Sequence, residues 1–575
     1  MTETKKRAEL IPPYGGTLVD LVAGEDKRKE LVAKSKFLPP IQISYRSQCD
    51  LELLAIGAFS PLDRFMGEKD YKTVLKQMKL SDGTLFPIPI TLPVDDIKNV
   101  AIGKEYTIRS RENMILAIMR VDEIYEWNLE EEARAVLGTA DSRHSLVSEM
   151  HTWGKYYLSG PLTVINLPKH YDFGELRKTP KEIRKILEDR GCENVVCFQP
   201  GNPMHRAHEA LTKKAMEELQ CVLLIQAVVG ITRRAHLDDY ARVRCYMALV
   251  KNYYDPARTI LNLLPLAVRV AGPRAALWHA MINRNYGVNY LIVGRDNVVH
   301  EKDSTGKHFY DLYHVQKMFK EHDRELGVRL VPFKKMVYVP KDDAYEEIDK
   351  VLHEGKEYLS LSGTKIIEDS WSTERNLPEW FTRPEISHII LEFNPPKTKR
   401  GFCVWFTGLP SAGKSTIADI LAPMLMAKGK RVTMLDGDRV RMHLTKGLAF
   451  TKEDRISNIL RVGFVASEIV KHNGVALCAL ISPYTSARDK VRAMIGEDRY
   501  LEVFVDTPVE VCETRDVKGM YALARAGAIK SFTGVDDPYE IPDSPELQIS
   551  TVEMSPEESA LLVLHMLKEK GFVKD

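Results

Sequence analysis

The sequence predicts a multidomain α/β protein with a β-rich N-terminal part, and three observations carry that expectation. The chain has 575 residues, about three or four domains at roughly 100–200 residues each. In two separate regions, short and fully apolar runs alternate with amphipathic stretches, the pattern of parallel sheets covered by helices. Ahead of both lies a region whose short apolar runs are broken by Pro and Gly, which reads as mainly β.

Taken in order, the β-rich region runs from about Pro39 to Leu167 and includes SDGTLFPIPITLPVDD. From about Thr179 to Val339 the texture becomes α/β. A helical stretch leads into NVVCFQPGNPMHRAHEALTKKAMEEL, then CVLLIQAVVG, a long helix, TILNLLPL, and a further helix before YLIVGRD. Asp342 to Pro395 is a mixed connector running into FNPPKTKRG, whose Pro pair and basic run mark a linker. Beyond Gly401, FCVWFTG reads as a buried strand, STIADILAPMLMA as a helix and RVTMLDGD as a second strand. A helix around RISNILRVGFVASEIVKHNG stops at Gly474, VALCALIS and YLEVFVDT are strands, and Pro508 suits the first turn of the helix that follows. The expected domains are 1–175, 176–340, 341–397 and 398–575.

Composition narrows the function. Hydrophobic residues make up 44% and charged residues 28%, the mix of an ordinary globular protein. Lys plus Arg number 81 against 80 Asp plus Glu, so a dedicated nucleic-acid or membrane-surface binder is not expected. The N-terminal MTETKKRAELIPPYGG has no apolar core of a secretory signal. No apolar run approaches the roughly 18 residues that span a bilayer. Eight cysteines are scattered without a C-x-x-C pair, several inside apolar runs such as VVCF and ALCALIS. Reduced, buried thiols and a cytoplasmic location follow as expectations.

Gly408-Leu409-Pro410-Ser411-Ala412-Gly413-Lys414-Ser415, followed by Thr416, matches G-x-x-x-x-G-K-[ST] between a predicted strand and a predicted helix. Such a P-loop wraps backbone N–H groups around phosphate oxygens at a helix N-terminus. Lys414 is placed to reach the β/γ-phosphates of ATP, and Ser415 to ligate Mg²⁺. The next strand ends in Leu435-Asp436-Gly437-Asp438, with Arg441 three residues on. Carboxylates there suit coordination of Mg²⁺ water or acceptance of a hydroxyl proton.

The P-loop, LDGDxxR, GLxFxxxDRxxNxxR, ISPY and DVKGxY followed by FTGVDDPYE together resemble adenylylsulfate (APS) kinase over residues 400–575. The resemblance implies that Lys414, Asp438 and Ser482 are catalytic, Asp438 lying near the attacking 3′-hydroxyl of APS. It implies that Arg441, Arg455 and Asn458 hold the phosphosulfate and sugar. Phe450 and Phe532 match aromatics that sandwich the adenine, a use suited to flat faces. Ile481 and Ser482 fall in the substrate motif ISPY. Ser482 corresponds to the family's phospho-acceptor serine, although direct in-line transfer needs no covalent intermediate and positions substrate equally well. Lys518 and the following stretch to Tyr539 resemble a lid.

Upstream, ISYRSQCDLELLAIGAFSPLDRFM, MHTWGKYYLSG, NPMHRAHE, LLPLAVRVAGPRAALWH, VGRD and LPEWFTRPE resemble ATP sulfurylase over roughly residues 10–395. That family condenses ATP with sulfate into APS and pyrophosphate. His205 and His208 match its HxxH signature, and at i, i+3 they share one helix face from which to donate to phosphate oxygens. With Gln199, Asn202 and Arg295 they form the expected nucleotide site. Four departures fall on the sulfate side. Family Q-[ST]-R-N-P reads Gln199-Pro200-Gly201-Asn202-Pro203, so an arginine is replaced by glycine. Losing a charge-assisted donor to an oxyanion costs about 2–5 kcal/mol. Family G-R-D-H-A-[GS]-P-G reads Gly294-Arg295-Asp296-Asn297-Val298-Val299-His300-Glu301, with bulk and a negative charge in place of small residues. Family G-[ML]-T-K-P-G-D reads Gly230-Ile231-Thr232-Arg233-Arg234-Ala235-His236, and S-G-T-x-[IV]-R ends in Ile367.

The resemblance therefore implies a PUA-like N-terminal domain, a Rossmann-like nucleotidylyl-transferase domain, a small connector and a P-loop kinase domain. The expected activity is transfer of the γ-phosphoryl of MgATP to APS, beside a sulfurylase-like domain of little or no turnover that serves as scaffold. The alternative is a fully bifunctional enzyme in which other residues, such as Arg233 or Arg234, bind sulfate. Both families assemble, so a homo-oligomer is expected, with a hexamer as its size.

Overall fold

A computed structural model of the chain describes residues 9–231, 239–293, 307–310, 312–331, 335–360, 377–393, 395–445, 447–448, 451–516, 519–529 and 531–574. The chain folds as two compact units, Met1–Gly363 with Leu377–Phe393, and a second running from Asn394 to Asp575.

The first unit opens with two small sheets. Pro40–Gln42, Glu105–Arg109, Ile115–Arg120 and Leu162–Val164 form a mixed four-stranded sheet, its first pair parallel and the others antiparallel. Leu92–Val94, Tyr156–Ser159 and Glu123–Glu126 form an antiparallel three-stranded one. Beneath them Glu132 is buried, its Oε2 accepting from Tyr71 Oη and Tyr157 Oη, both at 2.9 Å. Burial pushes this carboxyl up to about 7, and the two tyrosine hydroxyls pull it back only partly.

A five-stranded, all-parallel sheet follows, in the order Thr259–Pro265, Val222–Val229, Val195–Phe198, Tyr290–Ile292, Arg329–Val331. All eight residues of Val222–Val229 are buried, as expected for a strand covered on both faces. Thr179 and Glu182 form a capping box at the helix Pro180–Asp189 that leads into it, with Pro180 at the first turn. The β-rich part and this sheet share one core, which includes Phe59 stacked on Trp278 at 5.5 Å. A buried ion pair bridges them: Arg269 donates from both Nη atoms to Asp50 at 2.7 and 2.6 Å. Asn285 adds to the seam by accepting from the Tyr14 amide and donating to the carbonyls of Ala58 and Ser60.

In the second unit the sheet order is Val432–Asp436, Val475–Ala479, Phe402–Thr407, Tyr500–Val505, Leu547–Ile549, again all parallel. The central strand Phe402–Thr407 is buried throughout, with Lys414–Ala427 and Pro556–Glu569 packed on one face and Lys452–Lys471 on the other. The helix expected from Pro508 begins at Val509, and the proline is its N-cap.

All eight cysteines are free; Cys192 is half-buried and the other seven are buried. Burial raises the thiols of Cys49 and Cys245 to about 12. No described helix is long and apolar enough to cross a membrane.

Candidate functional site

Two sites arise at corresponding places, each at the C-terminal edge of a parallel sheet, where strands end and helices begin. In α/β folds that edge is where ligands bind.

In the second unit the chain leaves the strand Phe402–Thr407 through the P-loop and enters the helix Lys414–Ala427. Gly408 has φ +145°, and a Cβ there would lie 2.5 Å from the Val505 carbonyl oxygen, so a side chain is excluded. Gly413, at φ +104°, turns the chain into the helix. Side chains tie back the loop's carbonyls: Tyr521 donates to Pro410, and Thr507 and Thr551 to Ala412. Lys414 is buried, and its Nζ donates to the carbonyls of Gly408 (3.0 Å) and Leu409 (2.7 Å). Ser415 and Thr416 face solvent on the first turn. Ser415 Oγ donates to Asp436 Oδ2 at 2.5 Å. A hydroxyl and a carboxylate are hard oxygen donors of the kind Mg²⁺ takes in P-loop sites.

The resembling residues converge around this loop. Asp438 and Arg441 lie on the short helix Gly437–His443 that continues from Asp436; Arg441 is half-buried, and the Asp438 side chain is outside the described residues. Arg455 and Asn458 occupy successive turns of Lys452–Lys471 and are buried. Asn458 Oδ1 is buried without a hydrogen-bond partner. Ile481 O accepts from Thr407 Oγ1 at 2.8 Å, which seats ISPY beside the P-loop. Ser482 is buried at φ +47°, its Oγ accepting from Trp405 Nε1 at 3.1 Å and its carbonyl from Arg488 Nη1 at 2.6 Å. This locked hydroxyl suits positioning. Phe532 packs edge-on against Tyr521 at 5.0 Å, and Asp536 fixes its turn by accepting from the amides of Ser531 and Phe532. Phe450 and Lys518 lie outside the described residues.

In the first unit, Gln199 follows the strand Val195–Phe198, and His205 caps the helix Arg206–Glu218. His205 and His208 stack at 3.9 Å, between Phe381 and Phe198. His205 Nδ1 is buried without a partner, and burial together with His208 depresses its basicity well below the usual histidine range. Gln199 Oε1 meets His279 Nδ1 at 2.9 Å, and burial lowers His279 to about 4, so this imidazole is neutral. Gly201 and Asn202 turn their carbonyls inward, to Arg242 Nη1 (3.0 Å) and Tyr246 Oη (3.0 Å). Arg295, the altered loop 297–301, the segment 233–236 and Ile367 lie outside the described residues.

Sequence reasoning gave Asp436 and Asp438 jointly the coordination of Mg²⁺ water or the acceptance of a proton, and missed Trp405, Asp536, His279 and Arg242. Only Asp436 and Asp536 carried a local signal, being in LDGD and VDDPYE.

Comparison with known proteins matches three successive parts of the chain. The PUA-like domain profile covers residues 11–167, the ATP-sulfurylase profile 174–393 and the adenylylsulphate kinase profile 400–550. A sulfate adenylyltransferase of Phaeosphaeria nodorum is 41% identical, with 98% of this chain and 99% of that protein covered. One of Neurospora crassa is 40% identical over the same shares. The solved structure titled as the hexameric APS kinase from Thiobacillus denitrificans is 33% identical, with a TM-score of 0.76 over 98% of this chain and 100% of that one. Sequence, fold and full-length coverage agree: the chain belongs to the family of fused ATP sulfurylase and APS kinase proteins, with PUA-like, ATP-sulfurylase and C-terminal P-loop kinase domains.

Proposed function

We propose that the C-terminal unit transfers the γ-phosphoryl of MgATP to the 3′-hydroxyl of APS, giving 3′-phosphoadenosine 5′-phosphosulfate (PAPS) and ADP. The observation that carries this reading is one edge of one sheet bringing together a complete P-loop, the Ser415–Asp436 pair and the buried Arg455, Asn458 and Ser482. Lys414 exchanges its two carbonyl partners for the β/γ-phosphates. Ser415 and Asp436 would hold Mg²⁺, which when bound offsets charge on the phosphates. Asp438 accepts the proton of the 3′-hydroxyl as that oxygen bonds to the γ-phosphorus and the bond to the β-phosphate oxygen breaks. Arg441, Arg455 and Asn458 orient the acceptor, with Phe450 and Phe532 on its base, Lys518 in the lid, and Ser482 positioning.

For the N-terminal half we infer condensation of ATP with sulfate into APS and pyrophosphate, so that one chain makes PAPS in two steps. The full-length curated relatives named sulfate adenylyltransferase support it. Gln199, Asn202, His205, His208 and Arg295 would face the nucleotide, His205 as a neutral donor. A second reading keeps the fold without turnover. Its support is Gly201 in place of the sulfate arginine, and the full-length relative titled as an APS kinase. That title also supports a homo-hexamer, and free thiols throughout support a reducing, cytoplasmic setting. We place the boundaries at 1–175, 176–340, 341–397 and 398–575.

Sulfate-dependent pyrophosphate release, measured beside APS-dependent ADP release, decides between the two. Comparable rates establish the bifunctional enzyme; a sulfurylase rate roughly a thousandfold lower, equivalent to about 4 kcal/mol, establishes the second reading. In the latter case Gly201→Arg alone should not restore activity, because the loop 297–301 still lacks the small residues.

A further inference from the structure

Three segments of the kinase unit carry residues matched to the acceptor nucleotide, and all three meet at one carboxylate. Asp537 Oδ2 accepts from Arg455 Nη1 at 2.9 Å and from Tyr484 Oη at 3.0 Å. Arg455 stands one turn before Asn458 on Lys452–Lys471. Tyr484 is two residues beyond Ser482. Asp537 itself closes the turn that presents Phe532.

Asp537 is the carboxylate on which the guanidinium of Arg455 and the hydroxyl of Tyr484 meet. Arg455 is buried, and it also donates to the Thr533 hydroxyl at 2.5 Å and to the Ser531 carbonyl. The neighbouring Asp536 is committed to the amides of Ser531 and Phe532. Lys452, another cation at this junction, lies over the Tyr484 ring with Nζ 5.0 Å from its centroid. A guanidinium is a planar fork whose usefulness depends on its plane being held. One turn away, the Asn458 carbonyl oxygen is buried and unpartnered, an acceptor left over for a ligand donor.

We propose that Asp537 is a positioning residue for the acceptor nucleotide: it fixes the plane of Arg455 and binds the Phe532 turn to the ISPY segment, assembling the APS pocket without touching the reacting atoms. This rests on the APS kinase reading above. The site it serves takes an adenine nucleotide with an anionic 5′ group, and its contribution falls on binding that nucleotide rather than on ATP or the transfer step.

Steady-state kinetics on the full chain with APS and MgATP test it. Asp537→Ala should raise KM for APS about tenfold while kcat and KM for ATP stay within about twofold, the signature of lost uniform binding. Asp537→Asn, nearly isosteric, should fall between wild type and the alanine variant, and keeps the test open if alanine does not fold. Tyr484→Phe, which removes one arm only, should raise KM for APS by about twofold to threefold. Asp537→Glu should recover part of the affinity. The proposal is overturned if KM for APS stays within twofold in both Asp537 variants, if it falls, or if KM for ATP rises in step with it. A wild-type chain that does not phosphorylate APS sinks the kinase reading, and this inference with it.

Discussion

The two proposed nucleotide sites sit at the same kind of place and would meet phosphate by opposite means. In the kinase unit a cation, Lys414, is stored inside the loop on two carbonyls, and carboxylates stand at the strand end opposite. In the sulfurylase-like domain the described site includes neutral groups: His205 and His279, whose charge burial disfavours, and the Gln199 amide fixed by His279. A stored charge needs only a partner exchange when phosphate arrives. Neutral donors must be aimed, so their value depends on a shell of partners drawn from the whole domain. The first arrangement is set within a few consecutive residues, and the second is spread over helices far apart in sequence.

The contrast predicts where single substitutions hurt. Asp438→Asn should lower kinase turnover by about 10²–10⁴-fold, the usual span of a general-base contribution. A rate within about threefold of wild type would remove Asp438 from the mechanism. Lys414→Ala should cost about a hundredfold or more in PAPS formation, since the transferring phosphoryl loses its charge contact. Near-normal turnover there would break the comparison at its strongest point.

Stability sharpens it further. Asp50→Ala leaves Arg269 charged and buried without its partner, and should destabilise the N-terminal unit by about 3–5 kcal/mol in denaturant unfolding. A loss below about 1 kcal/mol would show that the seam between the PUA-like and sulfurylase-like domains does not depend on this pair. The smallest effect concerns Glu132. The folded chain holds its proton up to about pH 7, whereas an ordinary glutamate releases it near 4.5. Its contribution is therefore complete below about pH 4.5 and lost as pH rises through about 7. Glu132→Gln, permanently neutral, should flatten the fall in apparent Tm across that window by a few degrees. An unchanged pH profile would assign the fall to other groups.

Legibility follows the same division. The P-loop was readable because phosphate binding there is local: glycines, lysine and hydroxyl must follow one another. The alternation of buried strands and amphipathic helices was readable for a similar reason, since it records burial on two faces. His279 was not readable, because an imidazole in the middle of a helix gains meaning only when Gln199, 80 residues earlier, is folded against it. Trp405 was absorbed into an apolar strand, and only the fold shows that its one polar atom holds Ser482. Arg242, within the expected long helix, carries no local signal either, and it is buried on the carbonyl of Gly201.

The distribution of thiols makes the chain its own reporter of breathing. Five cysteines belong to the N-terminal unit and three to the C-terminal one, and all but Cys192 are buried. The thiolate is what attacks an alkylating reagent, so a shielded thiol reacts only during the instants when its surroundings open. Brief labelling followed by peptide mass analysis would time those openings separately for each unit. Cys192, half-buried, supplies the fast reference within the same molecule. Repeating the pulse with ATP, sulfate or APS would reveal which half each one steadies, with no added probe and no altered residue.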